Sequence, residues 1–413
     1  MRLVCDLHVH SKYSRATSRD MDVENLALWA RRKGIHVVGT GDFTHPVWRR
    51  ELQAKLEPAE PGLYRYGETR FLLTAEVSNV SPQDGRLRKV HSILLSPSFE
   101  VCDRIAAVLG RFGNLFADGR PTLTISCAKL VEYVMELSPG CLVIPAHAWT
   151  PWFSVLGSQS GFDDLESCFG DQLPHVRALE TGLSSDPPMN WRCSFLDGVT
   201  LVSFSDAHSP TKLGREATVL DCERSYPAIV ETLRTGRVDY TIEFFPEEGK
   251  YHYDGHRGCG VRWPPRITRQ YGGRCPRCGR PVTVGVLHRV ESLADREEGV
   301  RPTGRPGYRN LIPLEEILAE ALGQGVGTGR VRDEYLKLVA HFGDELRVLE
   351  EAPLEELERA THPKVVEGIR RMRAGRVHIE PGYDGEFGRI HLFEDSPAPT
   401  PTGEPETAQM SLF

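Results

Sequence analysis

The stretch Arg2-Leu3-Val4-Cys5-Asp6-Leu7-His8-Val9-His10 decides how the first part of this chain is interpreted. Its apolar residues predict a short buried strand, and its end carries two imidazoles at positions i and i+2. Because a strand projects such positions to one face, His8 and His10 together make half of a metal site. By itself the stretch is compatible with an ordinary strand end or with a pair of metal ligands, and the segment that follows favours the ligands.

Short apolar segments alternate with amphipathic segments over residues 1–245. The pattern predicts strands at 3–8, 36–41, 70–76, 89–95, 142–145, 178–180 and 199–204. It predicts helices at 23–33, 102–111 and 127–137. This order is typical of an α/β fold with a parallel sheet, either closed as a barrel or doubly wound. Such folds carry their chemistry at the carboxyl ends of the strands.

Polar residues lie at the ends of these strands, and they are the candidate catalytic and metal-binding residues. They are His8, His10, Asp42, Glu76, His91, His147, Asp206 and His208. Singly, each is equally compatible with a buried histidine bonded to a carbonyl or an aspartate that caps a helix. A set of them at successive strand ends predicts a site that binds divalent ions, with Glu76 as the candidate to bridge two of them.

The composition limits the class of protein. With 413 residues, of which 40% are hydrophobic and 26% charged, the chain is predicted to fold into one large domain and one or two smaller ones. No apolar run reaches the roughly 18 residues of a membrane span, and the N-terminus lacks a secretory pattern. Ten scattered or clustered cysteines indicate reduced thiols and a metal site, so a cytoplasmic, nucleoid-associated protein is expected. The net charge of −7 argues against a uniformly basic surface but not against a local one.

A second metal signature lies within residues 246–300. A Cys-x-x-Cys pair followed by glycine is a zinc knuckle, and a His-x-x-Cys pair precedes it. The predicted structural zinc ligands are His256, Cys259, Cys275 and Cys278, with His252 and His288 as alternatives for the fourth ligand. Residues 257–289 carry eight arginines and no acidic residue, which favours either a phosphate-binding module or a solvated face. The predicted DNA contacts of this module are Arg257, Arg262, Arg274 and Arg277.

Residues 301–393 predict a mainly helical accessory domain. Amphipathic helices at 310–322 and 331–342 flank a glycine-rich loop at 323–329, which either cradles a phosphate or only connects the helices. A second basic helix, with Lys364, Arg370 and Arg371 as predicted DNA contacts, precedes a hairpin at 377–379 and 389–393. Four aromatic residues either line a pocket for an extruded base or belong to the core: Trp149, Trp152, Phe153 and Trp191.

Six motifs occur in a fixed order: His8-x-His10, Gly41-Asp42, Ala75-Glu76, Val90-His91, Ala146-His147 and Ser205-Asp206-Ala207-His208. In this order they resemble the polymerase-and-histidinol-phosphatase (PHP) superfamily. The resemblance covers residues 1–245 and implies a distorted seven-stranded β/α barrel that hydrolyses phosphoesters with two or three divalent ions (Zn, Mn, Mg or Fe). One motif departs from the family, because Phe43 follows Asp42 where many members have histidine, and His45 is the candidate substitute.

Longer strings cover nearly the whole chain: GTGDFTHP at 39–46, PAHAWTPW at 145–152, ETGLSSDPPMN at 180–190 and PGYDGEFG at 381–388. They resemble the endonuclease Q family of archaeal and bacterial DNA-repair enzymes. The resemblance implies cleavage on the 5′ side of a deaminated base, such as deoxyuridine, deoxyinosine or deoxyxanthosine, or of an abasic site.

Residues 394–413 contain four prolines and few apolar side chains, so a disordered tail is expected. The tail ends in a sequence that resembles the Gln-x-x-Leu-Phe peptide by which bacterial repair proteins bind the sliding clamp. The predicted clamp contacts are Gln409, Leu412 and Phe413. The predicted domains are thus a barrel at 1–245, a zinc-binding module at 246–300, a helical domain at 301–393 and this tail.

The predicted function is that of a metal-dependent DNA-repair endonuclease, in which bound ions activate water and neutralise the charge of the transition state. Two alternatives remain open. A small-molecule phosphatase would use the same barrel but gives no role to the arginine-rich module or the terminal peptide. A non-catalytic DNA-binding accessory with a degenerate barrel would have lost several of the candidate ligands.

Overall fold

The computed structural model describes residues 1–393 of the chain. The strands of this part are β1 (Arg2–Asp6), β2 (Val37–Gly39), β3 (Glu57–Pro58), β4 (Tyr64–Tyr66), β5 (Thr69–Gln83), β6 (Arg86–Ser96), β7 (Thr122–Leu123), β8 (Leu142–Pro145), β9 (Ala178–Glu180), β10 (Thr200–Val202), β11 (Ala217–Asp221), β12 (Val238–Glu243), β13 (Asp254–His256), β14 (Val261–Trp263), β15 (Gly307–Asn310), β16 (His378–Glu380) and β17 (Arg389–His391). The α-helices are α1 (Val23–Lys33), α2 (Pro46–Lys55), α3 (Phe99–Leu109), α4 (Cys127–Leu137), α5 (Leu165–Phe169), α6 (Pro187–Trp191), α7 (Tyr226–Thr235), α8 (Pro265–Gln270), α9 (Val286–Leu293), α10 (Leu314–Leu322), α11 (Gly329–Phe342), α12 (Leu354–Ala360) and α13 (Pro363–Arg373).

Helix α1 illustrates why the predicted elements form where they do. The Asp22 side chain accepts a hydrogen bond from the backbone N–H of Asn25, which satisfies one of the unpaired donors at the start of the helix. At the other end, Gly34 has a φ of 85°, a left-handed conformation that glycine adopts without strain. The bounds predicted for this helix agree with the structure because both of its capping residues are legible in the sequence.

The main sheet contains eleven strands, in the order β15-β12-β11-β1-β2-β5-β4-β3, with β6 and β7 paired to β5 and β8 paired to β6. Strands β9 and β10 form a separate parallel pair. Backbone hydrogen bonds close the gaps at the carboxyl ends, from Ala148 N to Glu180 O at 3.0 Å and from His10 N to Ala207 O at 3.0 Å. The carboxyl ends of β1, β2, β8, β9 and β10 therefore meet around one opening, which the middle of β5 and the antiparallel β6 also border.

The predicted α/β class with a central sheet is confirmed, but the predicted parallel arrangement is wrong for part of it. Strand β6 runs antiparallel to both β5 and β8. The cause is a two-residue turn, because Asp84 and Gly85 have φ values of 51° and 72°, the conformation of a tight hairpin turn. The count of seven barrel strands stays a prediction, since the hydrogen-bonded sheet has eleven strands and includes some that do not border the opening.

The helices α10 to α13 pack directly against the barrel. Residues of both regions belong to one hydrophobic core, which includes Leu26 and Trp48 from the barrel and Ile317 and Ile369 from the helical region. Strand β15 adds a parallel strand to the main sheet beside β12. The predicted domain boundaries stay a prediction, and the contacts show that the helical region and the barrel share a core. Within residues 1–393, no helix combines the length and apolar character needed to cross a bilayer.

Candidate metal centre

The carboxylate of Glu76 lies at the middle of the opening formed by the strand ends. This residue is 1% exposed and sits halfway along β5. Its two oxygens face two different groups of side chains: His8, His10 and Asp206 with Glu76 form one group, and His91 and His147 with Glu76 form the other. Within each group the candidate ligand atoms lie within 4.8 Å of one another. Glu76 thus lies between the two groups, in the position that a bridging carboxylate would take, and its bridging role stays a prediction.

The first group gathers around Glu76 Oε2. His10 Nε2 lies 3.2 Å from this oxygen and 3.0 Å from Asp206 Oδ1. His8 Nε2 lies 3.5 Å from Glu76 Oε2 and 3.6 Å from Asp206 Oδ1. His8 and His10 follow the end of β1, on either side of Val9, which forms a β-bridge with Ala207. Because the chain stays extended at this bridge, positions i and i+2 share a face.

The second group gathers around Glu76 Oε1. His91 Nδ1 lies 2.7 Å from this oxygen, and His147 Nε2 lies 3.1 Å from it. The two imidazole nitrogens are 3.3 Å apart. The hairpin of β5 and β6 places His91 next to Glu76, and His147 follows the end of β8.

The chemistry of these atoms fits divalent metal ions. His8 Nε2 is buried and has no hydrogen-bond partner among the described residues, although it faces two carboxylates. A buried polar atom of this kind is costly unless a ligand satisfies it. Imidazole nitrogens and carboxylate oxygens together suit Zn²⁺, Mn²⁺ and Fe²⁺. The structure thus brings together six of the predicted ligands: His8, His10, Glu76, His91, His147 and Asp206.

Three residues of the site have a left-handed backbone, with φ values of 50° for Asp42, 30° for His147 and 47° for Asp206. Such conformations are strained in residues other than glycine and occur at functional sites. Gly41 precedes one of them, and a Cβ atom at its position would lie 2.3 Å from the carbonyl oxygen of Val9. Glycine is therefore required where the chain turns into the site after β2.

Asp42 and His208 were predicted as metal ligands, but the structure places neither in the two ligand groups. Asp42 Oδ2 accepts hydrogen bonds from the backbone and the hydroxyl of Ser11, at 2.7 and 2.6 Å, and its Oδ1 lies 3.3 Å from His10 Nδ1. The left-handed turn thus aims the carboxylate at the outer nitrogen of His10. The His208 ring packs 4.4 Å from that of His10, and its Nδ1 lies 2.9 Å from the Asp206 carbonyl.

The substitute considered for a ligand, His45, also lies outside both groups. Its Nδ1 accepts a hydrogen bond from the Trp48 backbone at the start of α2, and its ring stacks on Tyr13 at 4.5 Å. His45 is therefore a helix-capping residue.

Two residues of the centre were not among the candidates. Glu180, at the end of β9, lies 2.9 Å from His8 Nδ1 and accepts a hydrogen bond from the His147 backbone at 2.7 Å. A carboxylate on the outer nitrogen of an imidazole fixes the ring orientation and makes it a stronger ligand. Arg120 Nη1 lies 3.2 Å from Glu76 Oε2. The position of Glu180 at a strand end was a usable signal, whereas Arg120 comes from a loop without periodic sequence.

Charges and burial set the protonation states of the centre. Burial raises the pKa of Glu76, but His91, Arg120 and His8 outweigh it and hold that pKa well below its usual range. Burial lowers the pKa of His91 to about 3, so this imidazole is neutral near pH 7, as a metal ligand must be. For His8, burial lowers the pKa, and the carboxylates of Glu180, Asp206 and Glu76 raise it well above normal.

A second cluster lies on the module of residues 246–300. Its ligand atoms belong to His256, Cys259, Cys275 and Cys278, and they lie within 4.8 Å of one another. The backbone N–H of Gly279 donates to the Cys275 carbonyl at 2.8 Å, which folds the knuckle. The alternative ligand His288 instead contacts Asp254 at 2.6 Å, and His252 is not in the cluster. Three thiols and one imidazole suit a structural zinc ion.

The predicted DNA contacts differ in what surrounds them. In the module, Arg257, Arg262, Arg274 and Arg277 are exposed. In α13, Arg370 and Arg371 both donate to Glu367, at 2.7 and 2.9 Å, and Arg371 also donates to the Leu392 carbonyl. The Lys364 ammonium lies 4.6 Å above the Phe393 ring. The module therefore presents its positive charge to solvent, whereas α13 uses much of its charge within the protein.

The four aromatic candidates also differ in their surroundings, because some belong to the core and one lies near the metal centre. Trp149 is fully buried and donates its indole N–H to Asn190 at 2.8 Å, so it belongs to the core. Trp191 is 7% exposed and packs near Tyr308. The Phe153 ring lies against a candidate ligand of the centre, 4.9 Å from the His91 ring. The Trp152 ring approaches that of Tyr251 edge-on, with centroids 6.1 Å apart.

The fold and the paired ligand groups define a metal-dependent hydrolase of the α/β class, and comparisons with known proteins narrow this class. The lesion-specific endonuclease PfuEndoQ from Pyrococcus furiosus has a similar structure, with a TM-score of 0.86 and 31% identity over 95% of this chain and 96% of that one. An endonuclease Q bound to a 27-mer duplex with an abasic lesion at its active site gives a TM-score of 0.84 and 31% identity, over 95% and 97% of the two chains.

Comparisons of sequence match the chain to further proteins. Residues 313–376 match the family model of the MJ0043 C-terminal domain. The protein MJ0043 of Methanocaldococcus jannaschii is 33% identical over 252 residues, which are 59% of this chain. The chain spans 31% of the length of that protein. The chain belongs to the endonuclease Q family, and its class is that of the metal-dependent endonucleases.

Proposed function

We propose that this protein is a DNA-repair endonuclease that hydrolyses the phosphodiester on the 5′ side of a deaminated base or an abasic site. Deoxyuridine, deoxyinosine and deoxyxanthosine are the deaminated nucleosides we include. The observation that carries the proposal is the position of the Glu76 carboxylate between two groups of candidate ligands. Each of its two oxygens faces one of the groups. This arrangement suits two ions at the short separation that phosphodiester hydrolysis uses.

Each residue of the centre has a proposed role. Two or three ions (Zn, Mn, Mg or Fe), bound by the six gathered ligands, would activate water and neutralise charge on the phosphate. Asp42 and Glu180 would orient His10 and His8 through their outer nitrogens. Arg120, beside Glu76, supplies positive charge where a phosphate oxygen would bind. His208, whose ring lies 4.4 Å from that of His10, is proposed to contact the substrate or a further ion.

The substrate is proposed to be damaged duplex DNA. An endonuclease Q of similar structure was solved with such a duplex, which supports this choice. The exposed arginines of the zinc module are proposed to bind the phosphate backbone. The sliding clamp is a further proposed partner, although its predicted contacts Gln409, Leu412 and Phe413 lie outside the described residues.

The test uses the whole protein and end-labelled duplexes that carry one deoxyuridine, deoxyinosine or abasic site. We expect cleavage immediately 5′ of the lesion that requires a divalent metal and stops with chelator. An undamaged duplex of the same sequence is the control and should stay intact. Turnover of a soluble phosphomonoester without cleavage of any duplex would contradict the proposal.

A further inference from the structure

One exposed aromatic ring lies on the loop that borders the metal centre. Phe116 and Phe387 are each 66% exposed, more than any other aromatic residue within the described part of the chain. A single exposed ring is common on protein surfaces, so exposure alone decides nothing. The position of Phe116, between α3 and β7, is what makes it informative.

The second half of this loop is fixed against the centre. Arg120 contacts Glu76 at 3.2 Å, and the backbone N–H of Gly119 donates to the Tyr13 carbonyl at 3.0 Å. A Cβ atom on Gly119 would lie 2.2 Å from the Asp42 carboxylate, so the backbone approaches the centre as closely as it can. The loop therefore holds a defined position relative to the ligands.

The tip of the loop turns Phe116 outward. The Phe116 backbone N–H donates to the Asn114 side chain at 3.0 Å, and Ala117 N–H donates to the Asn114 carbonyl at 3.3 Å. The ring approaches His45 edge-on, with centroids 6.3 Å apart, and two-thirds of the side chain stays exposed. Because four residues span at most about 14 Å, Phe116 stands within that distance of Arg120 along the chain.

The neighbours of Phe116 fit a nucleic-acid surface. The Arg15 guanidinium is 84% exposed, and it lies 3.5 Å from Asp118, two residues after Phe116. An exposed cation beside a residue two positions from an exposed ring suits a duplex, which offers phosphates on its outside and flat bases within. An apolar ring gains nothing from the phosphate charges, so its natural place is between bases.

We propose that Phe116 inserts into the duplex beside the lesion and occupies the stacking position that the damaged nucleotide leaves when it moves to the metal centre. The inference rests on the proposed function. Apolar side chains that enter a base step in this way unstack it and stabilise the distorted duplex. Extrusion costs several stacking contacts in paired DNA and almost none in an unpaired strand. The role of Phe116 should therefore depend on whether the lesion is paired.

The experiment compares the wild type with Phe116→Ala and Phe116→Leu on one lesion in two contexts. One substrate is a fully paired duplex, and the other is the same lesion strand without a complement. We expect Phe116→Ala to lose about tenfold in cleavage rate on the duplex and less than about twofold on the single strand. Phe116→Leu, which keeps apolar bulk, should stay within about threefold of wild type on both.

Phe387→Ala is the matched control, because it removes a ring of equal exposure from the hairpin of β16 and β17. It should leave the ratio of the two rates unchanged, and an equal change in that ratio would overturn the assignment to Phe116. Equal losses of Phe116→Ala on both substrates, or no loss on the duplex, would also overturn it. A wild type that cuts neither substrate would instead refute the proposed function. Thermal unfolding of each variant checks that the fold is intact.

Discussion

The two metal-binding groups of this protein are built on opposite plans. In the barrel, the ligands are imidazoles and carboxylates from separate strands, all are buried, and one carboxylate serves two groups. In the module, three thiols and one imidazole come from residues 256–278, and Cys278 is exposed. Four protein ligands fill the coordination positions of a zinc ion and leave none for water. Ligand sets of oxygen and nitrogen that leave a coordination position open allow a bound water to react. The comparison predicts that one group holds the fold and the other performs the chemistry.

The largest effect should come from the bridging carboxylate. Glu76→Gln removes the charge that faces both ligand groups, so cleavage should fall to background and the barrel should lose bound metal while the module keeps its zinc. Cleavage assays and metal analysis of the same preparations measure this.

Glu243→Gln is the matched control for that substitution. Glu243 is also fully buried in the barrel, but burial raises its pKa well above normal, which favours the neutral acid that an amide resembles. This variant should keep nearly wild-type activity. Equal losses from both variants would mean that buried polarity, and not the bridging charge, is what matters.

A smaller loss is expected at the carboxylate that orients His8. Glu180→Gln leaves an acceptor near His8 Nδ1 but removes its charge, so metal affinity should fall about 10- to 100-fold. Added metal should restore most of the cleavage rate, as seen in a titration of activity against metal concentration. A loss that saturating metal does not restore would contradict a role in orienting the ligand.

A substitution in the zinc module tests whether its cluster is independent of the barrel site. Cys275→Ser should release the zinc and leave the barrel ions in place, because the two groups share no residue. Without the knuckle, the nearby arginines lose their fixed positions, so duplex binding should weaken and depend less steeply on salt. Binding measured over a range of salt concentrations gives the slope. Cys222→Ser, at a thiol outside both groups, should change neither zinc content nor slope.

Much of the site could be predicted because its ligands follow strands that the apolar pattern reveals. Helix α4 and strands β8 and β9 have the predicted bounds, and they place His147 and Glu180. Strand β6 was predicted at 89–95, but its antiparallel direction was missed although the turn residues Asp84 and Gly85 are a known hairpin signal. The direction of the Asp42 carboxylate depends on a φ of 50°, which no local pattern specifies.

The smallest effect we expect concerns the stability of the junction between the barrel and the module, at His252. This imidazole is 4% exposed, and burial lowers its pKa to about 4, from about 6.5 in an unfolded chain. As the pH falls below 6.5, the unfolded state binds a proton that the folded state excludes, so the free energy of unfolding should drop by about 3 kcal/mol near pH 4.

His252→Phe keeps a ring but binds no proton, so its unfolding temperature should fall less steeply between pH 6.5 and 4. His341→Gln, at an exposed imidazole, should follow the wild type. If His252→Phe also follows the wild type, acid acts at other groups, such as the buried imidazoles His91 and His208 of the barrel or the zinc ligands, and not at His252.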